Sequence, residues 1–129
     1  MNYLLDSHAF YWLVQPGIDV PQRVIGALDE ADSRVFVSAA SAFELSTKHR
    51  LGKFEATGLI TQWATAVAGL GAHELGVSAE HAVLAGQLDW AHPDPFDRLL
   101  VAQAIVEQLT LVSADRAVLA APGLAVLPW

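Results

Sequence analysis

The chain has 129 residues, of which 53% are hydrophobic and 16% are charged, and it contains no cysteine. This composition excludes a disordered tail, a disulfide framework and a thiolate metal site, and it fits one globular domain spanning residues 1–129. A formal net charge of −7 argues against a protein that attracts nucleic acid through its overall charge. No export signal or membrane-spanning stretch is visible, so we expect a cytoplasmic protein.

The first third of the chain alternates strand and helix patterns. A short apolar run at residues 3–5 predicts a buried strand, and Ser7 is a natural N-cap for a helix over residues 8–14. Pro21 fits the first turn of a second helix. Residues 34–38 then predict a second strand.

The middle of the chain continues this alternation. A helix over residues 39–51 is expected to end at Gly52, and apolar residues at helical spacing predict one continuous helix over residues 57–70. Residues 73–77 predict a short strand. Ser78 begins another helix.

The last third combines one strong helix with two short strands. The helix covers residues 95–108, and strands are predicted at 110–113 and, at an edge of the sheet, at 124–127. Because short apolar strands alternate with helices, we expect an α/β fold with a mainly parallel central sheet covered by helices on both faces.

Two aspartates directly follow predicted strands. Asp6 follows the first strand, and Asp115 follows the strand that ends near Ser113. In an open parallel sheet, ligands bind beyond the carboxyl ends of the strands where the strand order reverses, so both carboxylates can face one crevice. Glu44 lies inside the helix after the second strand, and Asp97 lies in the first turn of the helix before the Asp115 strand. If both helices line the crevice, four carboxylates converge.

A cluster of four carboxylates needs a compensating cation, because each carboxylate raises the pKa of its neighbours. Oxygen ligands without cysteine suit Mg²⁺ or Mn²⁺ better than zinc. Such ions promote phosphodiester hydrolysis, and carboxylates held on them no longer count as free negative charge. The pattern therefore indicates a catalytic Mg²⁺ or Mn²⁺ site built from Asp6, Glu44, Asp97 and Asp115.

Each of these carboxylates also has a local role that needs no metal. Asp6 can be an ordinary turn residue after a strand. Glu44 can pair with Lys48 one helical turn later. Asp94 is a natural N-cap for the helix that begins at the next residue, and Asp97 is an acid in its first turn. Asp115 can cap a short following helix. Spacing alone leaves these alternatives open.

Four segments resemble the acidic motifs of PIN-domain nucleases. Residues 4–8 (LLDSH) are similar to the first strand and acid, and residues 38–53 resemble the second motif. Residues 94–104 (DPFDRLLVAQA) are similar to the third, and residues 111–115 (LVSAD) to the fourth, where many members have threonine in place of Ser113. The order and spacing extend over nearly all of the chain and most resemble the VapC type, the toxin half of toxin–antitoxin modules.

The resemblance implies a PIN-like three-layer α/β/α sandwich and Mg²⁺- or Mn²⁺-dependent cleavage of RNA, often tRNA or rRNA. It also implies a VapB-type antitoxin that blocks the site, and a homodimer. Carried over by position, Asp6, Glu44 and Asp97 are the core metal ligands and Asp115 is the fourth acid. The implied reaction is an in-line attack by water that leaves a 3′-hydroxyl and a 5′-phosphate.

Basic residues flank three of the acidic motifs, and we expect them to hold the RNA backbone without reading its bases. Salt bridging on a solvated surface is the alternative role of each. The candidate RNA contacts are Lys48, Arg50, Lys53, Arg98 and Arg116.

Two other functions stay open at this point. A phosphoryl-transfer domain would use Asp6 as its nucleophile, but residue 8 is a histidine where such phosphatases usually carry a second acid. A catalytically inactive PIN-like module would keep the fold and bind RNA or protein. Four intact acids argue against that second alternative.

Overall fold

Five parallel strands form the central sheet in a computed structural model that describes all 129 residues. The strands are β1 (Asn2–Leu5), β2 (Arg34–Ser38), β3 (His73–Leu75), β4 (Thr110–Ser113) and β5 (Val126–Pro128). Their order across the sheet is β3-β2-β1-β4-β5, and every neighbouring pair is parallel. The two shortest strands lie at the edges.

Eight helices connect and cover these strands, and none is long and apolar enough to cross a membrane. They are α1 (Ser7–Val14), α2 (Gln22–Leu28), α3 (Ala39–Arg50), α4 (Thr57–Thr61), α5 (Trp63–Gly69), α6 (Ala79–Gln87), α7 (Pro95–Val106) and α8 (Arg116–Leu119).

The pleat of the sheet divides its side chains between two cores. Tyr3 and Leu5 of β1 face a core shared with α1, α2, α4 and α5, in which Phe10 is fully buried. Leu4, between them, faces the opposite core, where it packs with α7 and α8 around Leu100. This arrangement confirms the expected α/β fold with helices on both faces of a parallel sheet.

Helix α3 belongs to both cores and therefore spans the boundary between the two helical layers. Ala40 near its start packs in the core of α7, whereas Leu45 packs in the core of α1. The helix contacts both α1 and α7. Glu44 lies between these two apolar anchors and is buried, so its carboxylate is held at a fixed place beside the end of the sheet.

The prediction of one helix over residues 57–70 is wrong, because the chain breaks between α4 and α5 at Gln62. The Thr61 hydroxyl donates to the carbonyls of Thr57 and Gly58 at 2.9 and 3.2 Å. A hydroxyl that competes for helix carbonyls in this way weakens the regular backbone ladder and favours the break.

Other boundaries differ from the predictions by small amounts. Pro21 precedes α2 instead of occupying its first turn, and β3 ends two residues early. The last strand begins and ends slightly later than predicted. Helix α7 ends at Val106, two residues before Gln108, whose φ of 56° is incompatible with a continuing helix.

Candidate active site

The carboxyl ends of β1 and β4 form the base of the candidate site. The chain runs outward from β1 through β2 to β3, and it then returns to the other side of β1 with β4 and β5, so the strand order reverses between β1 and β4. The Asp6 amide donates to the Val112 carbonyl at 3.0 Å and joins the two strand ends. Asp6 and Asp115 directly follow these strands, where open parallel sheets bind ligands.

Asp6 is buried and caps α1, so the prediction of Ser7 as the N-cap is wrong. Its Oδ1 accepts a hydrogen bond from the Ala9 amide at 2.8 Å. Burial raises the pKa of the Asp6 carboxyl above its usual range, although hydrogen bonds from Ser113 and Ala9 oppose this shift. The folded environment thus penalises the charged form of Asp6 in the absence of a nearby cation.

Glu44 is only 3% exposed and is held by two partners. The Ser7 hydroxyl, freed from capping, turns inward and donates to Glu44 Oε1 at 2.5 Å, and it lies 3.0 Å from the Ser41 hydroxyl. Lys48 Nζ donates to Glu44 Oε2 at 2.7 Å, one helical turn further along α3. The local Glu44–Lys48 pair is therefore present, and it fixes the carboxylate at the edge of the site.

Asp97 lies in the first turn of α7. Asp94 caps this helix, because its Oδ1 accepts hydrogen bonds from the amides of Phe96 and Asp97 at 2.8 and 3.3 Å. Asp97 Oδ2 lies 2.7 Å from His92 Nε2. Partial burial raises the pKa of the Asp97 carboxyl, the His92 contact opposes that shift, and the nearby carboxylates of Asp94 and Glu44 reinforce it. Sequence reasoning missed His92, whose only signal was its position five residues before Asp97.

Asp115 differs from the other three acids because it is exposed. Its Oδ1 accepts from the Ala117 amide at 2.9 Å and caps α8, and its own amide donates to Ser113 Oγ at 3.0 Å. The capping role that the sequence suggested is present, and the residue still lies at the mouth of the site.

All four predicted acids line one cavity of about 190 Å³ that has no hydrophobic lining residue, which we call the acidic cavity. Lys48 is the single lysine or arginine on its wall. The lining residues are Asp6, Ser7, His8, Glu44, Lys48, Asp94, Asp97 and Asp115.

The acids converge without forming a closed ligand cage, since no group of three or more His, Asp or Glu side chains is arranged to hold a metal ion. Glu44 and Asp97 are instead turned toward Lys48 and His92. The donor chemistry nevertheless fits a divalent ion such as Mg²⁺ or Mn²⁺, because the donors are carboxylate oxygens. Burial of Asp6 and partial burial of Asp97 raise the pKa values of both carboxyls.

Arg98, which the sequence suggested as an RNA contact, is bonded to four backbone carbonyls. Its Nε donates to the carbonyl of Ala85 at 2.8 Å and its Nη2 to that of Leu88 at 2.8 Å, while Nη1 donates to Trp90 and His92 at 2.5 and 3.1 Å. These four bonds use the planar guanidinium to hold the segment that carries His92.

The other predicted RNA contacts lie near the acidic cavity or on the surface. Lys48 and Lys53 line a second cavity beside it. Arg50 ends α3, Arg116 begins α8, and both are exposed and form no ion pair.

Comparison with known families decides what this fold is. The PIN domain model matches residues 3–124, which is nearly the whole chain. The chain belongs to the PIN domain family. PIN domains are generally nucleases and typically use divalent metal ions, which agrees with the acidic cavity at the switch point of the sheet. None of the curated protein sequences matches this PIN domain significantly.

Solved structures show the same fold. VapBC2 from Rickettsia felis, bound to a DNA fragment from its promoter, matches with a TM-score of 0.72 and 18% identity, over 100% of this chain and 99% of that one. DNA-bound VapBC from Salmonella typhimurium matches with a TM-score of 0.72 and 17% identity, over 100% and 98%. FitAcB from Neisseria gonorrhoeae matches with a TM-score of 0.68 and 21% identity, over 98% and 96%.

Proposed function

We propose that this PIN domain is a Mg²⁺- or Mn²⁺-dependent endoribonuclease that hydrolyses phosphodiester bonds in the acidic cavity. One observation carries the proposal: Asp6 follows β1, Glu44 and Asp97 lie in α3 and α7, and all three line one polar cavity at the switch point of the sheet. Folding thus brings together acids that are far apart in sequence. A divalent cation would offset the mutual repulsion and desolvation of these carboxylates.

The roles of the side chains follow from their positions. A divalent ion held by Asp6, Glu44 and Asp97 would supply an activated water and offset the charge of the phosphodiester. Asp115 stands at the mouth of the cavity and acts directly or through water. Ser7 and His92 are positioning residues, because they hold the Glu44 and Asp97 carboxylates at 2.5 and 2.7 Å.

In this proposal, Lys48 is the positively charged side chain that contacts a phosphate of the substrate. Its ammonium lies 2.7 Å from Glu44 and lines the acidic cavity, so it is placed to pair with a phosphate when Glu44 turns to a metal ion. In-line attack then leaves a 3′-hydroxyl and a 5′-phosphate.

We further propose that the protein is the VapC-type toxin of a cytoplasmic type II toxin–antitoxin pair. The support is the full-length fold likeness to the chains of VapBC and FitAB complexes. A VapB-type antitoxin would block the acidic cavity with a basic side chain that competes for its carboxylates. A homodimer, and tRNA or rRNA as substrate, complete this proposal.

The nuclease is tested with purified protein and mixed RNA, in Mg²⁺ or Mn²⁺ and then with chelator. Asp6→Asn and Asp97→Asn are the test variants, and Asp19→Asn, at an exposed position outside the cavity, is the matched control. We expect metal-dependent cleavage in the wild type and the control, and none in the test variants. Cleavage that survives in both test variants would contradict the proposal.

The toxin assignment has its own test in growing cells. Expression of the wild type should arrest growth, and co-expression of its cognate VapB-type antitoxin should restore it. Asp97→Asn should leave growth unchanged. An inactive PIN-like binding module would give equal growth and no cleavage in every case.

A further inference from the structure

A second cavity of about 350 Å³ lies beside the acidic cavity and has different chemistry; we call it the aromatic pocket. Its apolar lining consists of Tyr11, Trp12, Leu45 and Phe54, and its polar lining of His8, Lys48 and Lys53. No carboxylate lines it. A concave apolar site with a few placed polar groups is the usual form of a small-ligand pocket, and its volume lies in the usual range of about 300–1,000 Å³.

The aromatic pocket adjoins the acidic cavity. His8 and Lys48 line both of them. A third cavity, of about 300 Å³, contains His8 and Trp12 together with Asp6 and Asp115. A chain-like ligand bound across the acids therefore leads directly into the aromatic pocket.

The aromatic side chains are held in place by one another. Trp12 lies between His8 and Trp129, with ring centroids 5.7 and 5.0 Å away. Tyr11 meets Phe54 edge-on at 5.1 Å. Ring surfaces that are already ordered lose little entropy when another flat ring stacks on them, which favours binding.

The charges of the pocket oppose those of the whole protein. The chain carries a formal charge of −7, yet no acid lines this pocket, and Lys53 supplies its free positive charge because Lys48 is paired with Glu44. Lys53 is exposed and forms no ion pair, so its ammonium is available to an anion. A flat apolar group with a phosphate beside it matches aromatic walls and a free ammonium better than a purely apolar side chain does.

We propose that the aromatic pocket binds one unpaired nucleobase of the RNA strand whose backbone crosses the acidic cavity, with Lys53 on an adjoining phosphate. The inference rests on the proposed ribonuclease function and specifies its substrate as RNA with a single-stranded segment at the cut site. Base stacking on aromatic side chains and lysine contacts to the backbone are how proteins hold single strands. A paired base in a duplex cannot enter such a pocket.

The experiment measures binding of a short fluorescent oligoribonucleotide in chelator, where no metal-dependent cleavage occurs. Binding is compared with a series of oligonucleotides of the same sequence, in each of which the base at one position has been removed. In the wild type, removal of the base at one position should weaken binding about tenfold. Trp12→Leu keeps an apolar side chain but removes the indole ring. In this variant the intact strand should bind as weakly as that abasic strand does in the wild type, and removal of the base should no longer weaken binding at any position.

Lys53→Ala is the second variant, and its side chain is exposed, so loss of the fold does not complicate the result. It should weaken the intact and abasic strands equally. Arg34→Ala, which removes one charge at the opposite end of β2, is the control and should bind as the wild type does.

Abasic scanning that shows no sensitive position, or a sensitive position that Trp12→Leu leaves unchanged, would overturn the pocket proposal. Such a result with intact metal-dependent cleavage would leave the ribonuclease standing and assign the aromatic pocket to another occupant, such as a peptide segment of an antitoxin. Absence of both RNA binding and cleavage would overturn the ribonuclease and this inference together.

Discussion

Helices α1 and α3 each contribute residues to both the acidic cavity and the aromatic pocket. Helix α1 contributes Ser7 to the acidic cavity and Trp12, five residues later, to the aromatic pocket, while α3 contributes Glu44 to the first and its neighbour Leu45 to the second. Because consecutive helical residues point about 100° apart, adjacent positions of one helix can give one cavity a carboxylate and the other an aliphatic wall. In this account the acidic cavity carries out the cleavage, and the aromatic pocket holds the substrate.

The two cavities also differ in how their charges are balanced. The acidic cavity collects five carboxylates around a single lysine, and burial raises the pKa values of Asp6 and Asp97. The aromatic pocket has no lining carboxylate and two lysines, of which Lys48 is paired with Glu44 and Lys53 forms no ion pair. Substitutions in the first should therefore affect cleavage, and substitutions in the second should affect binding.

The largest effect is expected at Glu44. Glu44→Gln keeps the shape and the Ser7 contact but removes the charge, and cleavage should fall more than about 100-fold, because even the outer partners of metal ligands commonly contribute about 10–100-fold. RNA binding in chelator should change less than about twofold. Single-turnover cleavage and fluorescence binding measure the two effects.

Asp115→Asn is the matched comparison within the acidic cavity. Asparagine also caps helices, so α8 should remain intact. Since Asp115 is exposed at the mouth, its cleavage defect should be clearly smaller than that of Glu44→Gln. The reverse order would contradict the assignment of Glu44 as a core acid.

A smaller effect is expected from Arg98→Lys, outside both cavities. Lysine cannot reproduce four bonds from a planar guanidinium, so the stability should drop by about 2 kcal/mol in urea denaturation. Cleavage should become slower, because the segment that carries His92 would hold Asp97 less firmly. RNA binding in chelator should stay the same. Unchanged stability with weaker RNA binding would restore Arg98 as an RNA contact.

The raised pKa of Asp6 predicts a pH-dependent change in the stability of the metal-free protein. Because the folded state holds the Asp6 proton more tightly than the unfolded chain does, stability falls as pH rises from the unfolded pKa through the folded one. Asp6→Asn should therefore raise the melting temperature in chelator at neutral pH. This advantage should shrink as the pH falls through the raised folded-state pKa of Asp6 toward the ordinary aspartate value of about 4. Equal melting temperatures at neutral pH would show that burial of Asp6 costs nothing.

The smallest effect is expected at Arg116, beside the mouth of the acidic cavity. Arg116→Ala should weaken all single-stranded RNAs equally and reduce the slope of log affinity against log salt by about 0.7, the value for one phosphate contact. It should leave any positional effect of abasic sites unchanged. A salt slope equal to that of the wild type would assign Arg116 to the solvated surface.

Much of this fold follows from local sequence patterns. Apolar runs predicted all five strands, and the placement of Asp6 and Asp115 after two of them indicated the crevice before any contact was known. Capping chemistry predicted Asp94 and Asp115 as N-caps, which the structure confirms. These features depend on residues that are close in sequence. The catalytic roles of the four acids remain predictions that rest on the motif resemblance and on their shared cavity.

The features that sequence could not predict depend on distant contacts. Ser7 is as good a cap as Asp6 by residue type, and only the buried Glu44 explains why its hydroxyl turns inward. Arg98 beside an acidic motif suggested a phosphate ligand, but α6 and the segment between α6 and α7 offer it four carbonyls. His92 becomes part of the site only when that loop folds back on Asp97.

Direct binding of Mn²⁺ tests the central claim most directly, because it does not depend on which RNA is the substrate. Electron paramagnetic resonance of free Mn²⁺ would be recorded with the wild type, Asp97→Asn and the Asp19→Asn control. The proposed site predicts that the wild type and the control remove Mn²⁺ from solution and that Asp97→Asn does so at least about tenfold more weakly. Equal Mn²⁺ binding by the wild type and Asp97→Asn, or none by the wild type, would contradict a catalytic metal site in the acidic cavity.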